Sequence, residues 1–139
     1  IYSNKKYIGN MIYILSARYD KLEILKWAQE IGIPWYRDTC AEAAREGHFG
    51  ILKWAVENGC PMNEYTSAQT ALGGKFEILK WLHENGCPWN EFTCSSAAFI
   101  NNLEMLKWAR ENGCPWSKAL CMRLTIEYPI INAWIDSQE

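Results

Sequence analysis

A chain of 139 residues with 49% hydrophobic and 22% charged residues is long enough to bury one continuous core, and it has the balance of an ordered globular domain. A formal charge of −2, with Lys and Glu alternating instead of clustering, gives no long-range field for a phosphate backbone or anionic lipid, and no apolar run approaches the ~20 residues that span a bilayer. The expected partner is therefore a protein, with no nucleic acid and no membrane, and the lack of a charged-then-apolar leader predicts an intracellular, cytoplasmic chain.

The first predicted element is a helix over residues 8–18, with Ile8, Met11, Ile12 and Leu15 at the spacing of a buried stripe. Tyr19-Asp20 makes a turn, and a second helix runs from Leu22 to a stop at Gly32. The second helix carries a phrase that recurs. Ile24-Leu25-Lys26-Trp27 returns as Ile51 to Trp54, Ile78 to Trp81 and Met105 to Trp108, and Pro34, Pro61, Pro88 and Pro115 keep the same step of 27 residues. A fixed period over four copies predicts one supersecondary unit stacked on copies of itself.

Each later unit reads as two helices. Thr39-Cys40-Ala41-Glu42 and Thr66-Ser67-Ala68-Gln69 match the Thr-x-x-Glu/Gln capping box, while Thr93 with Ser96 keeps half of it. Tyr65 and Phe92 precede these caps, where an apolar side chain can staple the first turn. Short helices rich in small residues follow, over residues 40–46, 67–72 and 94–100, and the alanines at 43, 44, 71, 97 and 98 favour close approach to a partner. Gly47-His48, Gly73-Gly74 and Asn101-Asn102 break the chain before the Trp-bearing helix. That helix ends at Asn-Gly, with the glycine as left-handed terminator and a proline two positions on. A fifth, incomplete unit has a first helix over residues 117–128, and Pro129 opens a second. Its Trp134 falls one residue short of the period. The organisation is thus one array over residues 1–139: an N-terminal capping unit at 1–23, three regular units at 24–116 and an incomplete unit at 117–139. Because the chain opens in mid-repeat, it reads as a monomer or as part of something longer.

Gly47-His48-Phe49-Gly50-Ile51-Leu52-Lys53-Trp54-Ala55-Val56-Glu57-Asn58-Gly59-Cys60 resembles the second half of an ankyrin repeat, and Ala43-Ala44 matches that family's paired alanines. The period is 27 instead of 33 and the Thr-Pro-Leu-His signature is reduced to Thr39, Thr66 and Thr93. The shortfall lies between Pro61 and Thr66, where the family projects a β-hairpin finger. The Gly-Cys-Pro-Trp wording is similar to short ankyrin-like arrays of large DNA viruses of amoebae and of protists, some beside an F-box. The resemblance spans about residues 8–128. It implies an all-α, ankyrin-like solenoid of about five helix pairs without long fingers, right-handed in its connections, with the short first helices on the concave side. For a viral chain it implies the host cytoplasm.

No catalytic constellation, phosphate-cradling loop or cofactor site is evident, so an enzyme is not expected. Six cysteines raise a metal or redox reading, but no Cys-x-x-Cys pair occurs. Cys60, Cys87 and Cys114 share one repeat position with Ile33, and Cys40, Cys94 and Cys121 share another with Ser67, which predicts buried free thiols in a reducing compartment. Equivalent positions in adjacent units lie ~10 Å apart, too far for a disulfide. The tryptophans read as core, each removing roughly 150–250 Å² from water. Lys26, Lys53, Lys80 and Lys107 with the glutamates around them read as a solvated face.

The expected activity is therefore binding. Positions that change between copies while their neighbours repeat are free of packing demands. One row is Glu42, Gln69, Ser96 and Arg123; the next is Arg45, Leu72, Phe99 and Ile126, with Ile100 adding to an apolar strip. The loop residues Tyr36, Arg37, Asn63, Glu64, Asn90, Glu91 and Lys118 are expected to form a low rim. The partner is a protein: a substrate for ubiquitination if an F-box stands alongside, or a structural neighbour within a particle.

Overall fold

The structure is a computed structural model that describes residues 2–139, with side-chain surroundings from Asn4 onward. It is all-helical, with ten helices and no strand among the described residues. In chain order they are α1 (Tyr2–Arg18), α2 (Leu22–Glu30), α3 (Thr39–Glu46), α4 (Phe49–Glu57), α5 (Glu64–Leu72), α6 (Phe76–Glu84), α7 (Glu91–Phe99), α8 (Leu103–Glu111), α9 (Lys118–Leu124) and α10 (Pro129–Asp136).

Local chemistry sets the breaks. Asp20, Gly47, Gly74 and Asn101 stand one period apart, and all four have positive φ, at 57°, 83°, 70° and 58°. Only Gly, Asn and Asp enter that region cheaply, so this residue choice separates the two helices of a pair at the same place each time. Gly32, Gly59, Gly86 and Gly113 likewise terminate the second helices with positive φ. Pro129 opens α10 at its first turn, where a missing N–H costs nothing.

The caps differ from the sequence expectation. Asn63, not Thr66, caps α5: its Oδ1 accepts from the Thr66 N–H at 3.0 Å, and Thr66 Oγ1 accepts from the Asn63 N–H at 3.1 Å. The box is therefore Asn63 with Thr66, three residues earlier than the Thr-x-x-Gln match. Asn90 caps α7 through the Phe92 N–H, and Thr93 Oγ1 is buried without a partner. Thr39 opens α3, and its hydroxyl donates to the Tyr36 carbonyl at 2.7 Å. In α5 and α7 an Asn side chain reaches the first free N–H groups from outside the helix, which leaves Thr66 and Thr93 to be buried inside the first turn.

Packing follows residue size. Each odd-numbered helix contacts the even-numbered helix after it, and α1, α3, α5, α7 and α9 contact one another in chain order more closely than the even-numbered helices do. The odd-numbered helices bury Ala, Ser, Thr and Cys, which permit close backbones. The even-numbered ones bury Leu25, Ile51, Leu52, Leu79, Leu82, Met105 and Leu106. The core runs through the whole molecule, with Ile78 and Leu82 of α6 facing its N-terminal half and Leu79 its C-terminal half.

Helix α1 corrects another expectation. Ile8, Met11 and Leu15 are exposed, and Ile12 is only half-buried. The buried stripe is Gly9, Tyr13, Ser16 and Ala17, where the Tyr13 hydroxyl donates to the Ile33 carbonyl at 2.7 Å and its ring lies 5.0 Å from Trp35. Gly9 allows a close approach there: a Cβ would stand 3.0 Å from Ile33 Cγ2, and that side chain would have to shift slightly.

Candidate functional site

The face formed by the odd-numbered helices carries three side chains from each helix, at spacing i, i+4, i+7. They are Met11, Leu15 and Arg18 on α1; Asp38, Glu42 and Arg45 at α3; Tyr65, Gln69 and Leu72 on α5; and Phe92, Ser96 and Phe99 on α7. Ala119, Arg123 and Ile126 come from α9 and its end. This spacing places each trio along one stripe of its helix.

The two rows named from sequence are brought together here, and their polar members pair across helices. The Arg18 guanidinium meets Glu42 Oε2 at 3.2 Å, and Arg45 Nη1 donates to Gln69 Oε1 at 3.0 Å. Exposed pairs of this kind contribute ~0–1 kcal/mol each, but they satisfy the polar groups of the N-terminal part of the face. From the end of α5 onward the pattern changes. Leu72 and Ser96 are half-buried, while Phe99, Arg123 and Ile126 are exposed. Ile100 belongs to the packing: it is half-buried, and its Cδ1 lies 3.6 Å from where a Cβ on Gly74 would stand.

Tyr65 and Phe92, read from sequence as staples, are exposed instead. Because Asn63 and Asn90 cap the helices, Tyr65 and Phe92 lie within the first turn and point along the face. They line a groove of about 300 Å³ between α5 and α7, floored by Ala68, Gln69 and Ser96 and rimmed by Glu64 and Asn90. Their variation from copy to copy (Met11, Asp38, Tyr65, Phe92, Ala119) was the signal that marks them as part of the varied surface. Of the expected rim, Asn63 and Asn90 are occupied as caps, the Tyr36 hydroxyl donates to Asp38 at 3.0 Å, and Lys118 Nζ donates to the Asp136 carbonyl at 2.9 Å.

The cysteines meet the expectation of buried free thiols, with a pairing within each unit that the sequence reading did not anticipate. All six are free and buried. Although equivalent positions lie in different units, the two cysteine positions of one unit face each other: Cys40 with Cys60, Cys94 with Cys114, and Ser67 Oγ 3.3 Å from Cys87 Sγ between them. Hydrogen bonding to Cys60, then burial, drives the Cys40 thiol far above its ordinary range, and Cys94 is raised in the same way by Cys114. Burial pushes Cys121 up to about 11. Cys40, Cys94 and Cys121 are therefore poor nucleophiles and poor metal ligands at neutral pH, whereas the hydrogen bond with Cys94 lowers the Cys114 thiol. No group of three or more His, Cys, Asp or Glu side chains that could hold a metal ion occurs among the described residues, and no described helix is long and apolar enough to cross a membrane.

The tryptophans of α4, α6 and α8 are half-buried, not fully enclosed, and they meet other aromatic rings edge-on. Trp35 lies 5.7 Å from Trp54, Trp89 lies 5.6 Å from Trp108, and Phe49 lies 5.6 Å from Trp81. Lys53 and Lys80 sit 4.0 and 4.1 Å above Phe49 and Phe76, a cation–π role beyond the expected ion pairs. Lys26 and Lys80 do pair with Glu23 and Glu77 three residues earlier.

Comparison with known proteins finds no matching family model, no matching curated protein and no matching solved structure.

Proposed function

We propose that the chain is an ankyrin-like solenoid of five helix pairs that acts as a non-catalytic scaffold, binding a protein partner on the face of the odd-numbered helices. Closer spacing of that row than of the even-numbered row supports curvature with this face concave. The observation that carries the reading is the α5–α7 groove. Tyr65 and Phe92 are exposed beside it, at a position where other units carry Met, Asp or Ala, and Phe99 lies further along α7, at a position where other units carry Arg, Leu or Ile. A face that only met solvent would not hold two exposed aromatic rings at a groove and a third further along the same helix. Tyr and Phe contribute large contact area at small entropic cost, which suits a partner segment bearing apolar side chains. Arg18 and Glu42 satisfy each other's charge, and Arg45 keeps its charge while its guanidinium donates to the neutral Gln69 amide, so the N-terminal half is expected to set orientation more than affinity. The site resides in the cytoplasm in this reading, and beside an F-box the partner would be a substrate for ubiquitination.

Affinity purification from the native cell tests it, comparing the parent with a Gln69→Arg, Leu72→Glu, Phe92→Glu, Phe99→Glu variant shown by circular dichroism to stay folded. Selective loss of protein partners supports the reading. Retention of every partner removes this face, and recovery of nucleic acid in place of protein removes the scaffold class.

A further inference from the structure

The repeat supplies internal controls for every position, and one end of the molecule departs from them. Ile24 stands where Ile51, Ile78 and Met105 stand in later units; those three are 1%, 6% and 0% exposed, whereas Ile24 is 44% exposed. Trp27 is 48% exposed, while Trp54, Trp81 and Trp108 are half-buried. On the adjoining helix, Ile14 is half-buried where Ala41, Ala68 and Ser95 are buried. The seating of α2 on α1 is not the cause, because Leu25 and Ala28 are as fully buried as Leu52 and Ala55. One side of the α1–α2 pair is uncovered.

In the interior, that side is covered by the preceding pair. Phe49 of α4 lies edge-on to Trp81 of α6 at 5.6 Å, and Phe76 of α6 lies edge-on to Trp108 of α8 at 5.6 Å. Both contacts join residues 32 apart (81 − 49 and 108 − 76). Among the described residues no aromatic ring packs on Trp27 in this way. A terminal cap places polar residues on its outer side, whereas this one places Ile24 and Trp27 there.

We infer that the N-terminal end is an open unit-to-unit interface that takes a further helix pair of the same design, with an aromatic side chain 32 residues ahead of Trp27 laid edge-on against its indole. The inference rests on the solenoid reading proposed above. The occupant is specified by the molecule itself, since the complementary surface appears on α4 and α6, each seated against the pair that follows.

The test replaces residues 1–9 with a copy of residues 37–63, which puts the copied Phe49 32 residues before Trp27. A second chimera built from residues 64–90 guards against an accident of one copy. We expect added helicity and a Tm higher by at least about 5 °C. Ile24→Lys is expected to shift Tm by less than about 2 °C in the parent but to remove the gain in the chimera, and Ser at the copied Phe49 is expected to remove part of it. Failure of both chimeras to add helicity would overturn the solenoid reading and this inference with it. Added helicity with Ile24→Lys still harmless would overturn the inference alone. A concentration-dependent dimer of the parent, abolished by Ile24→Lys in light scattering, would give the face to a second copy and also overturn it.

Discussion

The two rows of helices solve different problems with different residues. The even-numbered helices bury branched and long side chains and hold the half-buried tryptophans, so their contribution is area removed from water, on the order of 25 cal/mol per Å². The odd-numbered helices bury Ala43, Ala44, Ala71, Ala97 and Ala98 together with Thr and Cys, and they gain by approaching closely. A row that is stabilised by close approach can leave its outer stripe free to vary, and that stripe carries the proposed binding face. The row stabilised by bulk has less freedom, because its large side chains must fit their neighbours. In the proposed reading, stability and recognition are thus separated onto two sides of one chain.

The largest effect should come from removing bulk. Leu79→Ala empties a fully buried site of the even-numbered row and is expected to cost about 3–4 kcal/mol, read as a lower urea midpoint at constant m-value. A cost under about 1 kcal/mol would show that this row is not where burial matters.

Adding bulk probes the other row. A Cβ on Gly73 would stand 2.3 Å from the Arg45 carbonyl oxygen, although its φ is an ordinary −74°. Gly74 has positive φ but meets only Ile100 Cδ1 at 3.6 Å. Gly73→Ala is therefore expected to cost about 2–3 kcal/mol and Gly74→Ala about 1 kcal/mol in thermal unfolding. The reverse order would mean that backbone strain, not the closeness of α3 and α5, governs this junction.

The buried thiols give the comparison a pH dependence. Cys121 keeps its proton in the folded chain up to about 11, while in the unfolded chain it ionises near the ordinary value of 9.0. Between those values the unfolded state binds fewer protons, so stability should fall as pH rises from about 9 to about 11, by about 2 kcal/mol from this thiol. Denaturation series at pH 8, 10 and 11 should show a shallower alkaline loss in Cys121→Ala than in the parent. Equal slopes would discount burial of this thiol as a source of pH sensitivity.

The smallest expected effect is on the outer stripe. Phe99 is 57% exposed, so Phe99→Ser should change stability by no more than about 0.5 kcal/mol while weakening partner capture. A stability loss of several kcal/mol would place Phe99 in the packing and not in recognition.

The sequence by itself determined the helices and their breaks, because both depend on local chemistry. The positive-φ residues at 20, 47, 74 and 101, the Gly terminators and the proline at the start of α10 each act within one turn of chain. It also marked the varied rows, since a position that drifts while its neighbours repeat is not held by the core. What it left undecided required knowing which elements meet. The apolar spacing of Ile8, Met11 and Leu15 described a stripe on α1, but the buried stripe is Gly9, Tyr13, Ser16 and Ala17. There the loop at Ile33 packs closely on Gly9 and accepts a bond from the Tyr13 hydroxyl. The Cys40–Cys60 and Cys94–Cys114 pairs join positions 20 residues apart within a unit, which a comparison of equivalent positions between units does not reveal. Tyr65 and Phe92 became surface residues only because Asn63 and Asn90 start their helices earlier than the threonines would. Ile24 is the plainest case. It matches Ile51 and Ile78 in sequence, yet it is exposed where they are buried, a difference set by which elements lie beside each of them.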